Sequence, residues 1–180
     1  MLDEPLTGPS RRPAHRPLVR IPGTMADGVE IERKFLMDRV PDGLDDHPSA
    51  EIEQGYLAIT DEVEVRVRRY GEQSFLTVKS GGGEVRVEEE IEIDARRFAA
   101  LWPLTDNRRI EKRRYRIPAG GRTIELDVYH GRLSGLLVAE VEFDSPEAAA
   151  AFIPPAWLGS DVTGDARYKN RRLATDGLPS

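Results

Sequence analysis

The chain has 180 residues, no cysteine, a formal charge of -6 and 39% apolar residues. A length of this order suits one domain with a real core, and the negative charge argues against a general nucleic-acid binder, which would present a basic surface. No disulfide framework or thiolate chemistry is available, no run approaches the roughly 20 apolar residues of a membrane span, and the N-terminus lacks the apolar stretch of a signal peptide, so a soluble cytoplasmic protein is expected.

Residues 1–27 hold five prolines, four arginines and little that could pack, the composition of a disordered tail. Met25-Ala26-Asp27-Gly28 would make an ordinary start, so the residues before Met25 read either as an upstream extension of the initiator or as a basic docking arm. The first organised stretch is Val29 to Phe35. Its even positions carry Glu30, Glu32 and Lys34, while Val29, Ile31 and Phe35 are apolar, the period of a strand with one charged face. Two carboxylates two residues apart stand about 7 Å apart on one side of a strand. They can converge on a divalent cation, and Lys34 can reach an anion that the cation holds. A solvated strand face of mixed charge has the same spelling.

Asp42 to Ser49 reads as a polar loop or short helix, and Ile52 to Ile59 as a strand closed by Thr60-Asp61-Glu62. Val63, Val65 and Val67 then oppose Glu64, Arg66, Arg68 and Tyr70; beyond a Gly71-Glu72 turn, Leu76 and Val78 oppose Thr77 and Lys79. Gly81-Gly82-Gly83 is a second turn. After it Val85, Val87, Ile91 and Ile93 alternate with Arg86, Glu88, Glu90, Glu92 and Asp94, and Glu89 interrupts the apolar side once. Ala95 to Trp102 has a helical pattern stopped by Pro103.

The second half repeats the scheme. Lys112, Arg114 and Arg116 share a strand face opposite Tyr115 and Ile117. After Ala119-Gly120-Gly121, Ile124, Leu126 and Val128 alternate with Glu125, Asp127 and Tyr129; Leu137 to Phe143 sets Glu140 and Glu142 against Val141 and Phe143. Ser145 is a candidate cap for a helix through Phe152, with Pro146 in its first turn. Asp165 is a candidate cap for one last helix through Leu173, and residues 176–180 are expected to fray.

The charged faces hold nine acids (Glu30, Glu32, Glu88, Glu90, Glu92, Glu125, Asp127, Glu140, Glu142) and six bases (Lys34, Arg66, Arg68, Lys79, Lys112, Arg114). An antiparallel sheet with one wet face accounts for them without any function. Three modest helices are thin cover for a wide flat sheet, however, and closing the sheet removes its edges, turning the charged face into a wet lumen and the apolar face outward. The excess of acids means that a metal-free lumen would repel a polyanion, whereas two divalent ions reverse the sign.

The ordered series Glu30-x-Glu32-x-Lys34, Arg66-x-Arg68, Thr77-x-Lys79, Arg86-x-Glu88-x-Glu90-x-Glu92, Lys112-x-Arg114-Tyr115, Glu125-x-Asp127, Glu140-x-Glu142 and Val162-Thr163-Gly164-Asp165 leading to Tyr168-x-Asn170 resembles the CYTH superfamily, the triphosphate tunnel metalloenzymes. That superfamily includes class IV adenylate cyclases, thiamine triphosphatases and inorganic triphosphatases. The resemblance covers residues 28–175 and implies an eight-stranded antiparallel closed β-barrel flanked by a few helices. It further implies that Glu140 and Glu142 hold one Mg²⁺ or Mn²⁺ with Asp127 nearby, and that Glu30 and Glu32 hold a second that activates water. Lys34, Arg66, Arg68, Lys79, Lys112 and Arg114 would grip the phosphates, with Lys169 a further base. Glu88, Glu90, Glu92 and Glu125 would complete the acidic lining. His15, His47 and His130 read as surface residues, and Trp102 and Trp157 as outer packing. With few aromatics to stack an organic group, the expected reaction is hydrolysis of inorganic tripolyphosphate to pyrophosphate and phosphate. Thiamine triphosphatase, adenylate cyclase or a non-catalytic polyphosphate- or nucleotide-binding module are the alternatives, and a homodimer is compatible with all of them.

Overall fold

The computed structural model describes residues 31–80 and 87–179; the tail, Glu30, Arg86 and the expected turn at Gly81-Gly82-Gly83 lie outside them. The elements are β1 (Ile31–Leu36), β2 (Ser49–Ile59), β3 (Val63–Tyr70), β4 (Gln73–Ser80), β5 (Val87–Ile93), α1 (Ala95–Leu101), β6 (Arg109–Ala119), β7 (Arg122–Tyr129), β8 (Leu137–Phe143), α2 (Pro146–Ala151), β9 (Ser160–Asp161) and α3 (Asn170–Asp176). The chain is therefore mainly β with a few short helices. Local chemistry sets many of the boundaries. Gly120 and Gly121, both with positive φ, turn β6 into β7. Asp94 caps α1 by accepting from Arg97 N at 2.7 Å, and Ser145 caps α2 by accepting from Ala148 N at 3.1 Å. Pro103 does not end the first helix outright; the chain tightens into a 3-10 turn over Trp102–Thr105.

One antiparallel sheet runs in the order β5-β4-β3-β2-β6-β7-β8-β1-β9. Eight strands form its body and the two-residue β9 finishes one edge. The expectation of a barrel closed by hydrogen bonds is not met: among the described residues no pairing joins β5 to the other end. The outer edge of β1 is already spent. Phe35 and Leu36 pair with β9, Val162 N donates to Lys34 O at 2.8 Å, and Lys34 N donates to Thr163 Oγ1 at 3.0 Å. An edge satisfied in this way has little backbone left to offer β5.

The two faces differ as the alternation requires. Phe35, Tyr115, Ile117, Ile124, Leu126, Ala139, Val141 and Phe143 form a core on one side of β1, β6, β7 and β8, with Phe152 and the alanines of α2 packed against it. The opposite side carries the charges. At one end of that charged side a second apolar cluster gathers Tyr56, Ile110, Tyr129, Leu133, Leu136 and Val138 around Leu173 and Ala174 of α3. The last helix thus seals one end of the charged face by burying its own apolar turn there.

Candidate active site

Register places the charges before any pairing does. Lys34 stands opposite Glu140 and Glu32 opposite Glu142 between β1 and β8; Arg114 stands opposite Asp127 between β6 and β7, and Glu125 opposite Glu140 between β7 and β8. Arg114 consequently reaches three carboxylates. Its Nε donates to Asp127 at 2.7 Å, its Nη2 to Glu140 at 2.6 Å, and its Nη1 to Glu125. Lys112 donates to Asp127 at 2.5 Å and lies over the Tyr129 ring, 5.2 Å from its centroid. Lys34 bridges Glu140 and Glu32, the latter at 2.9 Å.

Burial and charge compete over these groups. Burial alone would pull the Lys34 ammonium down and push the Glu140 carboxyl up. The opposite charges win: Glu140 and Glu32 hold Lys34 well above the ordinary lysine value, and Lys34, Arg114 and Lys112 hold Glu140 well below the ordinary glutamate value. Lys112 is the exception. Burial, aided by the neighbouring Arg114, lowers it against the pull of Asp127. Glu125 is raised, chiefly by burial.

Across the cavity the pairing is looser. Arg68 approaches Glu90 at 3.2 Å, Lys79 approaches Glu88 at 2.9 Å, and Arg66 lies 3.9 Å from both Glu64 and Glu88. Thr77 donates its hydroxyl to Glu90 at 2.8 Å. The Arg66 Nε is buried with no hydrogen-bond partner among the described residues. An orphaned guanidinium N–H beside a charged cavity is a donor held ready for an acceptor.

The cavity enclosed between these walls measures about 120 Å³ and is lined by Glu32, Lys34, Arg66, Arg68, Lys79, Glu88, Glu90, Lys112, Arg114, Glu140 and Glu142, with Ile52, Gln54 and Asn170 between them. Strands from both ends of the sheet face it, so the sheet curls around the space although its edges do not pair. All six expected bases of the strands line it. Glu92 and Lys169 do not; both are exposed. Asp127 and Glu125, expected among the lining acids, are set back behind Arg114, Asp127 being fully buried. The facing charges are therefore six bases to five acids among the described residues, a balance of opposite sign from the sequence tally.

The Lys169 expectation fails for a local reason. The single last helix read from the sequence is two pieces, a 3-10 turn at Ala166–Tyr168 capped by Asp165 and then α3, with Lys169 extended between them (φ -71°, ψ 135°). That break turns Lys169 outward and brings Asn170 to the cavity. Gln54 was also missed; nothing in a strand reading separates an amide from the polar background, whereas its donation to Tyr56 Oη at 2.8 Å fixes it in place. A larger hollow of about 720 Å³ lies elsewhere, between residues 37–42, the end of β6 and residues 156–159 including the exposed Trp157. It gathers no comparable set of paired acids and bases.

Whether a divalent cation suits the residues present turns on their donor chemistry. Glu32, Glu140 and Glu142 offer hard carboxylate oxygens from adjacent strands at the cavity wall, the ligand type that Mg²⁺ and Mn²⁺ take. Among the described residues no three acid or imidazole side chains are gathered at ligand spacing, and Lys34 and Arg114 are paired with the carboxylates of Glu32 and Glu140. Asp127, wholly engaged by Lys112 and Arg114, does not fit the role of ligand.

The family model described as the CYTH domain matches residues 28–152, ending before β9 and α3. An inorganic triphosphatase of Nitrosomonas europaea is 51% identical over 149 residues, covering 81% of this chain and 97% of that protein. An inorganic triphosphatase of Acetivibrio thermocellus is 36% identical over 152 residues, covering 81% and 93%. A crystal structure of an inorganic triphosphatase superposes with a TM-score of 0.69 at 47% identity, over 84% of this chain and 97% of that one.

Proposed function

The chain belongs to the CYTH domain family, and from that premise we propose that it is a metal-dependent inorganic triphosphatase that hydrolyses tripolyphosphate to pyrophosphate and phosphate. The observation that carries the reading is the cavity lining: six bases converge on a space that, among the described residues, has Ile52 as its one apolar side chain and no aromatic ring. Such a site gains its binding energy from phosphate oxygens and has nothing to stack a base or a thiazolium ring. In the working form the eight main strands surround the substrate as a tunnel.

The chain's own residues then act by exchange of partners. Arg66, Arg68 and Lys79, loosely paired with Glu88 and Glu90, turn to the phosphates first. Lys34, on taking a phosphate oxygen, relinquishes Glu32 and loosens Glu140, so that gripping the anion releases carboxylates for a cation. Lys112 and Arg114 stay anchored through Asp127 and present fixed donors, which is the positioning that phosphoryl transfer chiefly needs. Glu32, Glu140 and Glu142, with Glu30 beyond the described residues, would hold divalent ions, which when bound supply charge neutralisation at the phosphates and polarisation of the attacking water. The reading does not depend on a homodimer.

The test is Glu32→Gln beside the wild type, with tripolyphosphate, thiamine triphosphate and ATP in Mg²⁺ or Mn²⁺, resolving phosphate, pyrophosphate and cyclic AMP. The wild type is expected to show its highest kcat/KM on tripolyphosphate and no cyclic AMP. The variant should bind substrate but not turn it over. Efficient cyclic AMP formation sinks the assignment in favour of a cyclase, and binding of all three compounds without product leaves a non-catalytic module.

A further inference from the structure

Asn170 opens α3, at the edge of the charged cavity, and its side chain is held by one described hydrogen bond: the Tyr129 hydroxyl lies 3.0 Å from Asn170 Oδ1. Tyr129 is 2% exposed, and its phenol is pushed well above the ordinary tyrosine value by burial, with Asp127 and Glu140 adding to the effect. It therefore keeps its proton, and a buried O–H requires an acceptor. Among the described residues the Asn170 carbonyl is the acceptor it has. With its carbonyl engaged by Tyr129, Asn170 has its NH₂ as the donor it can offer at the cavity that the residue lines. Both anchors of this arrangement are rigid. Tyr129 is clamped beneath Lys112, and α3 is pinned three and four residues on by the fully buried Leu173 and Ala174.

We propose that Asn170 is a phosphate-binding residue, a neutral donor at the sealed end of the cavity, with Tyr129 positioning it by fixing which way its amide faces. The proposal rests on the triphosphatase reading and deepens it. A neutral donor has a use here that another cation would not: at this end Lys112 and Arg114 already carry positive charge whose counter-charges are spoken for by Asp127 and Glu140, and an amide adds a directional contact without adding repulsion. The placement also gives the sealed end a measure of the anion, since a terminal phosphate that reaches Asn170 can go no further past the cluster of Tyr56, Leu173 and Val138.

The discriminating substitution is Asn170→Asp. The carboxylate keeps an oxygen for the Tyr129 hydroxyl and nearly the same shape, but replaces the donor with a negative charge facing the cavity. Tripolyphosphate binding in Mg²⁺ is measured by calorimetry for wild type, Asn170→Asp, Asn170→Ala and Tyr129→Phe, with Tm as the control for folding and with turnover followed in parallel. The expected order is a loss of about tenfold in affinity for Asn170→Ala and about a hundredfold for Asn170→Asp, with Tyr129→Phe between wild type and Asn170→Ala. A purely structural role predicts the reverse, Asn170→Asp within about twofold of wild type and Asn170→Ala worse, and that order overturns the proposal. Wild-type binding without turnover refutes the triphosphatase reading while the affinity order still decides the role of Asn170. Absence of wild-type binding at millimolar ligand overturns both.

Discussion

The two walls of the cavity are built from the same residue types and behave differently. Lys112, Arg114, Asp127, Glu125 and Glu140 on β6, β7 and β8 form a buried network in which Arg114 alone meets three carboxylates. Opposite it, Arg66, Arg68 and Lys79 on β3 and β4 face Glu88 and Glu90 on β5, an edge strand among the described residues, at 2.9 to 3.9 Å, and among those residues the Arg66 Nε has no hydrogen-bond partner. Position in the sheet accounts for the contrast. β7 is flanked on both sides and contributes Ile124 and Leu126 to the core, so its inward acids are desolvated and must be paired. Among the described residues β5 has one neighbour, and solvent shares the stabilisation of its carboxylates. A wall of the first kind holds donors in place; a wall of the second kind can change partners when an anion arrives.

The contrast is broken most directly at Asp127. Replacing it with Asn leaves Lys112 and Arg114 buried without their shared counter-charge, and loss of one partner from a buried network costs about 3–5 kcal/mol. In a domain of this size that corresponds to a fall in Tm of roughly 6–20 °C, measured by calorimetric or circular-dichroism melting. A fall of under about 2 °C would mean that the network is no tighter than the opposite wall.

A second prediction sharpens the comparison through pH. Glu140 is depressed in the folded chain, so its contribution to stability is complete above the ordinary glutamate value of 4.5 and is lost as pH falls through its lower folded value. Metal-free protein should lose up to about 1.4 kcal/mol per pH unit from this group below that point. Glu140→Gln should show a flatter acid limb in urea melts run from pH 5 downward, and parallel limbs would show that the buried wall does not control acid stability. Lys34 works in the other direction: raised in the folded chain, it contributes below the ordinary lysine value of 10.5 and fades as pH rises through its higher folded value.

The smallest effect on stability is expected from the loose wall. Arg66→Ala removes ion pairs at 3.9 Å and should move Tm by no more than about 2 °C, yet lower kcat/KM for tripolyphosphate by about tenfold. A large fall in Tm with unchanged kcat/KM would invert the assignment of scaffold and grip.

Strand identity, facing and caps were legible in the sequence because they are local. A period of two needs only a few residues to read, and it correctly separated Lys112 and Arg114 from Tyr115 and Ile117. The cap at Ser145 is equally local. At the C-terminal end the local reading of one helix from Asp165 missed the extended break before α3, and where the resemblance suggested Lys169 as a further base it is Asn170 that lines the cavity. No sequence period marks such a break.

Depth and partnership belong to the tertiary structure. Alternation says that Glu125, Asp127, Glu140 and Glu142 are on the charged face of their strands, but not that Asp127 lies behind Arg114 while Glu142 lines the cavity. That distinction depends on registers between strands far apart in the chain: Lys34 meets Glu140 across 106 positions, and Tyr129 meets Asn170 across 41. The open edge has the same origin, since only the return of residues 160–163 onto β1 decides that β5 finds no ladder there. The sequence by itself determined which side of each strand is charged, because side-chain direction is fixed by the backbone it belongs to. Only the folded sheet decided which charges neutralise one another and which remain for a ligand, because electrostatic energy depends on distance and desolvation, and both are set by neighbours the chain acquires on folding.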